Sequence, residues 1–527
     1  MRILKTKNQC HLYFFYNTII YLDKGFSMFK LLTLQLQNHP FLGNLKLKFT
    51  DIDEYKNGPY TTVIIGPNGT GKSQILRMIV NIFREYDESL KLNPNSIPSY
   101  PDYKQINRYA DTKFMISFSV NETEFLFTNY SKSSQDKEND FNTHMKSKYF
   151  HPNRVIANSI LLNDRFPMIN SSEDNIYQYM GVRRSPQVAG TRDYIKKIVN
   201  DFSKIANKPN FQNQIVQMLQ FLGFKKTFWI SHYPKRKNIF FTGKLTKEYF
   251  HKYFTNWQAF SSRRTEPWSI SYYQKIHKNK ILISELVDFI NFITMKKKHI
   301  SSRTWVFLYN ILDNNIDLKH RFELLDHLRK LDILSYPGIE VEKGDHFDIE
   351  ETSSGEYHFL LSFLGILSRI QENSLILLDE PDISLHPNWQ MKYINALKSI
   401  FSEYNSCHFI IVTHSHFLIS DLKPESSSLI ALTKDQEGII SQIEVPKNTY
   451  GWSAEEILYS VFNVKSTRNS YIEYDLTKLL TLINKNSDDI ESIESILQKL
   501  YHLKITEGDP LNIIIEKTEK YLKDFNA

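Results

Sequence analysis

From Met28 onward apolar and polar positions alternate with a period of two, so residues 31–36 read as a strand. His39-Pro40 breaks the pattern, and 45–49 resumes it. Residues 61–65 predict a third strand that runs into a glycine-rich loop. Beyond it Ile75, Ile79 and Ile82, with Leu76 and Phe83, recur at helical spacing. Residues 87–111, rich in Pro, Asn and Ser, predict a loop, and strands are expected at 114–120, 124–129 and 154–161. Residues 170–340 carry no sustained period and read as irregular and mostly helical. Strand text returns at 338–342 and 347–351. A helix at 357–372, a buried strand at 374–379, a helix near 387–403 and a second buried strand at 408–413 follow. Past Tyr450 the period is helical, as in Ile493, Ile496, Leu497 and Leu500, and no internal repeat is visible. The pattern describes an α/β core interrupted by a helical insertion and closed by a helical tail.

Composition narrows the class. The chain has 527 residues, 41% of them hydrophobic and 23% charged, enough to bury a core and to form more than one structural unit. No apolar run reaches the roughly 18 residues that span a bilayer. Cys10 and Cys407 are too few for a disulfide framework or a thiolate zinc site, which suits the cytoplasm. Residues 1–27 hold an apolar stretch from Leu12 to Leu22 behind Lys5 and Lys7. Its Tyr13, Tyr16, Asn17, Thr18 and Tyr21, without a small-residue cleavage site, argue against a signal peptide. The stronger pattern at Met28 makes residues 1–27 an expected upstream extension, with translation starting at Met28.

The net charge of +7 is uneven. Residues 191–300 hold 21 Lys/Arg and 6 Asp/Glu, a net of +15, leaving −8 for everything else. Within the block Lys225-Lys226, Lys235-Arg236-Lys237, Arg263-Arg264 and Lys296-Lys297-Lys298 alternate with Trp229, Tyr233, Phe250, Phe254, Trp257 and Trp268. Interleaved cations and stacking rings suit nucleic acid. The same residues also describe solvated Lys-rich helices around an aromatic core, and the sequence leaves both open.

Four elements carry chemistry. Gly66-Pro67-Asn68-Gly69-Thr70-Gly71-Lys72-Ser73 fits the phosphate-loop pattern between a strand and a helix. Its backbone N–H groups can cradle phosphates, Lys72 can reach the β- and γ-phosphates of ATP, and Ser73 can ligate Mg²⁺. The buried strand 374–379 ends in Asp379-Glu380, a metal-holding carboxylate followed by a candidate general base for an attacking water. Ser353-Ser354-Gly355 stands 24 residues before Asp379, ahead of an apolar helix, where it serves either as a phosphate binder or as an ordinary N-cap. His414 ends the second buried strand 35 residues after Asp379.

That order resembles the ABC-type ATPases, including the structural-maintenance and RecF-like branch. The resemblance implies a mixed sheet flanked by helices, with Lys72, Ser73, Asp379, Glu380 and His414 forming one half-site and His414 as γ-phosphate sensor. Ser353, Ser354 and Gly355, a degenerate form of the family signature, would cover the nucleotide of a second copy in a head-to-tail ATP sandwich. Asn163 or Asp164 falls where the family has its Q-loop. Asp382 to Gln390 and Thr413 to Leu418 are similar to the AAA-type members of this superfamily found in bacterial anti-phage systems, and Thr449 to Leu458 with Val461-Phe462, Asn163 to Pro167 and Tyr177 to Gly181 resemble the PtuA-type ATPase subunits of Septu systems, some of whose relatives accompany retrons. Such subunits oligomerise and bind a separate HNH-type nuclease, and no His-Asn-His arrangement is evident in this chain.

The resulting organisation is an extension at 1–27, half of the core at 28–180, a basic insertion at 181–340, the other half at 341–450, and a helical, partner-binding tail at 451–527. The 307 residues between Lys72 and Asp379 lack sustained heptads, so a compact insertion is expected rather than a coiled-coil rod. The leading expectation is an ATP-hydrolysing regulatory subunit controlling a nuclease, with phage DNA or retron nucleic acid on the basic insertion and no membrane contact. The alternatives are a nucleotide-gated scaffold with little turnover, and a stand-alone DNA-repair or nuclease ATPase of RecF or overcoming-lysogenization-defect type.

Overall fold

The computed structural model describes residues 28–50, 58–92, 111–120, 123–129, 151–161, 163–168, 175–185, 188–206, 208, 210–257, 267–299, 305–313, 317–443, 452, 456–457, 469–485, 487–503 and 509–526. The extension at 1–27, Arg263-Arg264, most of Thr449 to Leu458, and Val461-Phe462 lie outside them.

The chain opens with β1 (Phe29–His39), β2 (Gly43–Lys48) and β3 (Tyr60–Ile65), then α1 (Lys72–Leu92). Next come β4 (Lys113–Val120), β5 (Thr123–Thr128), β6 (Arg154–Ser159), β7 (Tyr177–Gly181) and the short pair β8 (Arg183–Ser185) and β9 (Val188–Ala189). The insertion contributes α2 (Thr191–Ile205), α3 (Phe211–Phe221), β10 (Trp229–His232), α4 (Lys237–Phe240), α5 (Lys247–Thr255), α6 (Trp268–Ile276), α7 (Lys280–Met295), β11 (Lys298–His299), β12 (Trp305–Asn310), α8 (Leu318–Lys330), β13 (Gly338–Lys343) and β14 (Asp345–Asp348). The core resumes with α9 (Ser354–Arg369), β15 (Ser374–Asp379), α10 (Pro387–Ile400), β16 (His408–Val412), α11 (His416–Ile419), β17 (Ser427–Lys434) and β18 (Ile440–Ile443).

The main sheet runs β18-β17-β3-β16-β15-β6-β7, parallel except for the antiparallel β17–β18 pair. Parallel strands covered on both faces need apolar residues at every position. That is why 374–379 and 408–413 read as continuous runs. Leu375 and Leu377 join a cluster with Ile75, Ile79 and Phe83 of α1. Ile376 and Leu378, equally buried, point to the opposite face by strand alternation. A second, antiparallel sheet, β2-β1-β4-β5, covers the far side of α1 through Leu34, Leu36, Phe114 and Phe118.

The insertion is mostly helical, as expected, but the sequence did not announce a sheet at its centre. Helices surround a five-stranded antiparallel sheet, β11-β12-β10-β13-β14. β10 has four residues and pairs with segments around 310 and 340, so no local period announced it. The hairpin β13–β14 forms one side of this sheet. Residues 87–111 were expected as a loop, yet α1 continues to Leu92. β17 and β18 were not read from the sequence at all. Residues 452–527 form a separate unit containing α12 (Ser470–Asn484), α13 (Ile490–Tyr501) and α14 (Leu511–Asn526). Its small core holds Leu479, Ile493, Ile496, Leu497 and Leu500, as the helical period implied.

Two buried histidines join core elements. His408 Nδ1 accepts the Leu31 N–H at 3.0 Å, which leaves the proton on Nε2 to donate to Thr62 Oγ1 at 2.8 Å. Burial, then Lys30, pushes this imidazole down to about 3. His39 Nδ1 accepts the N–H groups of Phe41 and Leu42, and burial followed by Arg77 lowers it to about 4. Both folded values lie below the unfolded one, about 6.5, so the unfolded chain protonates first. Their contribution is complete above about pH 6.5 and is lost as pH falls through the folded values, at on the order of 1.4 kcal/mol per unit per ring. Thermal melts at pH 7.5 and 5 are expected to show a lower midpoint in acid, and a smaller drop in His408→Gln. An equal drop in that variant would exclude His408 as a source.

Candidate functional site

Sheet order and register build the site. β16 lies between β3 and β15, with Asp379 beside Val412 and Val412 beside Ile64. The loops leaving these three strands therefore emerge together at the carboxyl edge, where open α/β sheets bind ligands.

The phosphate loop turns from β3 into α1. Gly71 holds φ +78°, and a Cβ there would sit 2.3 Å from Leu42 Cδ2, so both backbone conformation and space require glycine. Lys72 is buried. Its ammonium donates to the Gly66 carbonyl at 2.7 Å and the Pro67 carbonyl at 3.2 Å. Burial lowers its pKa to about 8, against the pull of Glu380 and Asp379. Ser73 Oγ donates to Asp379 Oδ1 at 2.9 Å. Burial raises the Asp379 carboxyl to about 7 despite that hydrogen bond. A hydroxyl and a carboxylate this close, beside a phosphate loop, form the hard oxygen set that suits Mg²⁺.

Glu380 adopts φ +50°, unusual for a residue with a side chain, and its N–H is anchored on the Val412 carbonyl at 2.8 Å. His414 bridges the cluster: Nδ1 lies 3.5 Å from the Lys72 ammonium and Nε2 lies 3.5 Å from Glu380 Oε1. Because the ammonium can only donate, the network assigns the imidazole proton to Nε2, toward Glu380. Burial and then Lys72 lower the His414 pKa. The loops are braced by Thr413 Oγ1 donating to Asp382 Oδ1 at 2.6 Å, and by Gln390, which meets Ser415 and the carbonyls of Asp382 and Leu385.

The structure thus brings together Lys72, Ser73, Asp379, Glu380 and His414. Among the described residues, no hydrogen bond links Ser353, Ser354 or Gly355 to them. Ser353 instead caps α9 in a capping box, its Oγ donating to Glu356 Oε2 at 2.7 Å, while Glu356 also takes Lys343 at 2.9 Å. Ser353 and Ser354 remain exposed. Gly355 is buried under the loop that follows Glu380: a Cβ there would lie 2.6 Å from the Ser384 carbonyl oxygen. Gly355→Ala is expected to cost about 1–3 kcal/mol and lower the melting midpoint by several degrees, because backbone rather than a side chain must yield. An unchanged midpoint would refute this.

The loop after β6 neighbours β15. Asp164 there is committed to Tyr179 at 2.7 Å, to Arg183 Nε at 2.8 Å, and to the Phe166 N–H at 2.9 Å, whereas Asn163 is exposed. Phe41 escaped the sequence reading. Its ring, half exposed, lies against Gly71, although only the break at His39-Pro40 marked its turn. In the basic block Phe250 and Phe254 are core residues, while Tyr233 and Trp268 are exposed. Lys225 pairs with Glu342 at 2.5 Å, and Lys235 and Arg236 pair with Asp332. Among the described residues, no helix is long and apolar enough to cross a membrane.

A phosphate loop facing strand-end carboxylates on a mixed sheet flanked by helices makes this a P-loop ATPase core. The chain belongs to the AAA ATPase domain family, which matches residues 30–419. Over 191 residues it is 30% identical to the Septu protein PtuA of Bacillus thuringiensis, covering 31% of the chain and 46% of that protein. The chain therefore spans about half the length of that relative. It is 22% identical over 477 residues to the Retron Vc95 probable ATPase of Vibrio cholerae serotype O1 biovar El Tor, covering 88% of the chain and 84% of the relative. Among solved structures, the SMC head domain from Thermotoga maritima aligns at 12% identity and a TM-score of 0.32, covering 79% of this chain and 99% of that one.

Proposed function

We propose that this chain binds and hydrolyses ATP as the regulatory subunit of an anti-phage defence complex and controls a separate HNH-type nuclease. The convergence of Lys72, Ser73, Asp379, Glu380 and His414 on one sheet edge carries the reading. The likeness to a Septu protein and a retron ATPase supports the defence role. The P-loop N–H groups and Lys72 bind the phosphates, and Phe41 offers its exposed face to the base. Ser73 and Asp379 hold Mg²⁺, which when bound neutralises charge on the β- and γ-phosphates. Glu380 orients the attacking water and accepts its proton, and His414 is positioned between that carboxylate and the phosphate-binding lysine. Ser353, Ser354 and Gly355 at the start of α9, where both serines are exposed, cover the nucleotide of a second copy in a head-to-tail dimer. Asn163 takes the Q-loop position, and the tail is the region offered to the nuclease.

Phe41→Ala is expected to weaken ATP binding by roughly 3–10-fold, as loss of one ring stack implies, with pyrophosphate binding unchanged. Equal weakening for both ligands would place Phe41 outside the base site. The functional reading is tested by nucleic-acid cleavage with the chain alone and with the products of its neighbouring genes, with and without ATP, in wild type, Lys72→Ala and Glu380→Gln. Cleavage that needs a neighbour and shifts with either substitution supports it. Robust cleavage by the pure chain supports the stand-alone nuclease instead.

A further inference from the structure

A second polar recess lies at the other end of α9 from Ser353. It is a cavity of about 600 Å³ between α2 and α8, reached also by His232 of β10 and by Arg369 in the last turn of α9. Its size is that of a small-molecule site. Its lining holds six cations, Lys196, Lys197, Lys204, Arg329, Lys330 and Arg369, against four carboxylates.

Two of those carboxylates are already matched. Asp201 accepts from Arg369 Nε at 2.6 Å and lies 3.5 Å from Lys204, while Asp326 pairs with Arg329 and with Lys330 at 2.5 Å. Lys197 has a backbone partner, the Tyr179 carbonyl at 2.6 Å, and Lys196 stands over the Tyr336 ring at 4.2 Å.

We propose that this cavity binds a phosphate ester of nucleotide size, at a site distinct from the P-loop. Two guanidinium groups and several ammonium groups around one space suit a multiply charged oxyanion. Glu323 at the rim can accept from hydroxyl or amino groups on the same molecule. An occupant competes with Asp201 for Arg369 and so touches the helix whose first turn presents Ser353 and Gly355. The assignment depends on neither the defence role nor ATP turnover.

Calorimetric titration of the full chain with inorganic pyrophosphate tests it. Wild type is expected to show two sites. Lys72→Ala keeps the cavity site, and Lys204→Glu with Lys330→Glu keeps the P-loop site while weakening the other at least 10-fold. These lysines are 47% and 41% exposed, which limits damage to the fold. Lys204→Gln with Lys330→Gln, carrying no new charge, is expected to weaken the same site to a smaller degree. A single wild-type site abolished by Lys72→Ala, or a second site indifferent to both lysine pairs, overturns the proposal.

Discussion

Glu380→Gln is expected to slow ATP hydrolysis by about 10²–10⁴-fold while leaving ATP affinity within a few-fold of wild type. The size follows from removing a general base while keeping its shape. The glutamine fits the same space, and the backbone bond from residue 380 to the Val412 carbonyl does not involve the side chain. What disappears is the carboxylate that faces His414 Nε2 at 3.5 Å. Because His414 presents its proton toward Glu380 and its other nitrogen toward Lys72, the histidine remains held on one side in the variant. Single-turnover hydrolysis together with equilibrium ATP binding separates the two quantities. Hydrolysis within threefold of wild type would mean that Glu380 is not the base.

Lys72→Ala is expected to act on binding instead, raising the Kd for ATP by roughly 10²-fold or more. Charge-assisted hydrogen bonds are worth about 1.5–3 kcal/mol each, and the ammonium is placed to give two of them to phosphate oxygens. In the structure those donors rest on the Gly66 and Pro67 carbonyls, so the side chain is held at the loop before a nucleotide arrives. Its removal also takes the cation away from Asp379 and Glu380, two carboxylates within its electrostatic reach. Fluorescent-nucleotide titration checks the expectation. Near-wild-type affinity would place the nucleotide elsewhere.

The site was legible in the sequence where its chemistry is local. The phosphate loop needs particular residues at fixed spacing between a strand and a helix, so Gly66 to Ser73 could be identified from eight consecutive letters. The strands before Asp379 and His414 were legible because parallel strands buried on both faces are uninterrupted apolar runs. Elements whose stability comes from distant partners were harder to see. β10 is four residues long and exists because Trp229 pairs with both Asn310 and Glu340. β17 mixes Ser427 and Ser428 with apolar residues and is secured by pairing along β3. Phe41 carries no motif. It becomes notable only when the β1–β2 turn is folded against Gly71.

Gly355 shows the division at a single residue. The sequence marks it as part of a signature at a helix start, but the backbone of Ser384 pressing on it is a contact across 29 residues that only folding creates. Ser353 divides in the same way, since its spacing to Glu356 spells a capping box in the sequence and the structure realises it. By itself, then, the sequence determined the phosphate loop, the Asp-Glu strand end, the histidine and the α/β alternation, because these are set by short-range spacing and by burial on both faces. The tertiary structure decided how Lys72, Ser73, Asp379, Glu380 and His414 meet, that the insertion has a sheet at its centre, and that a cationic cavity lies between α2 and α8. Each of those depends on strand order and on packing between segments far apart in the chain, which no local pattern encodes.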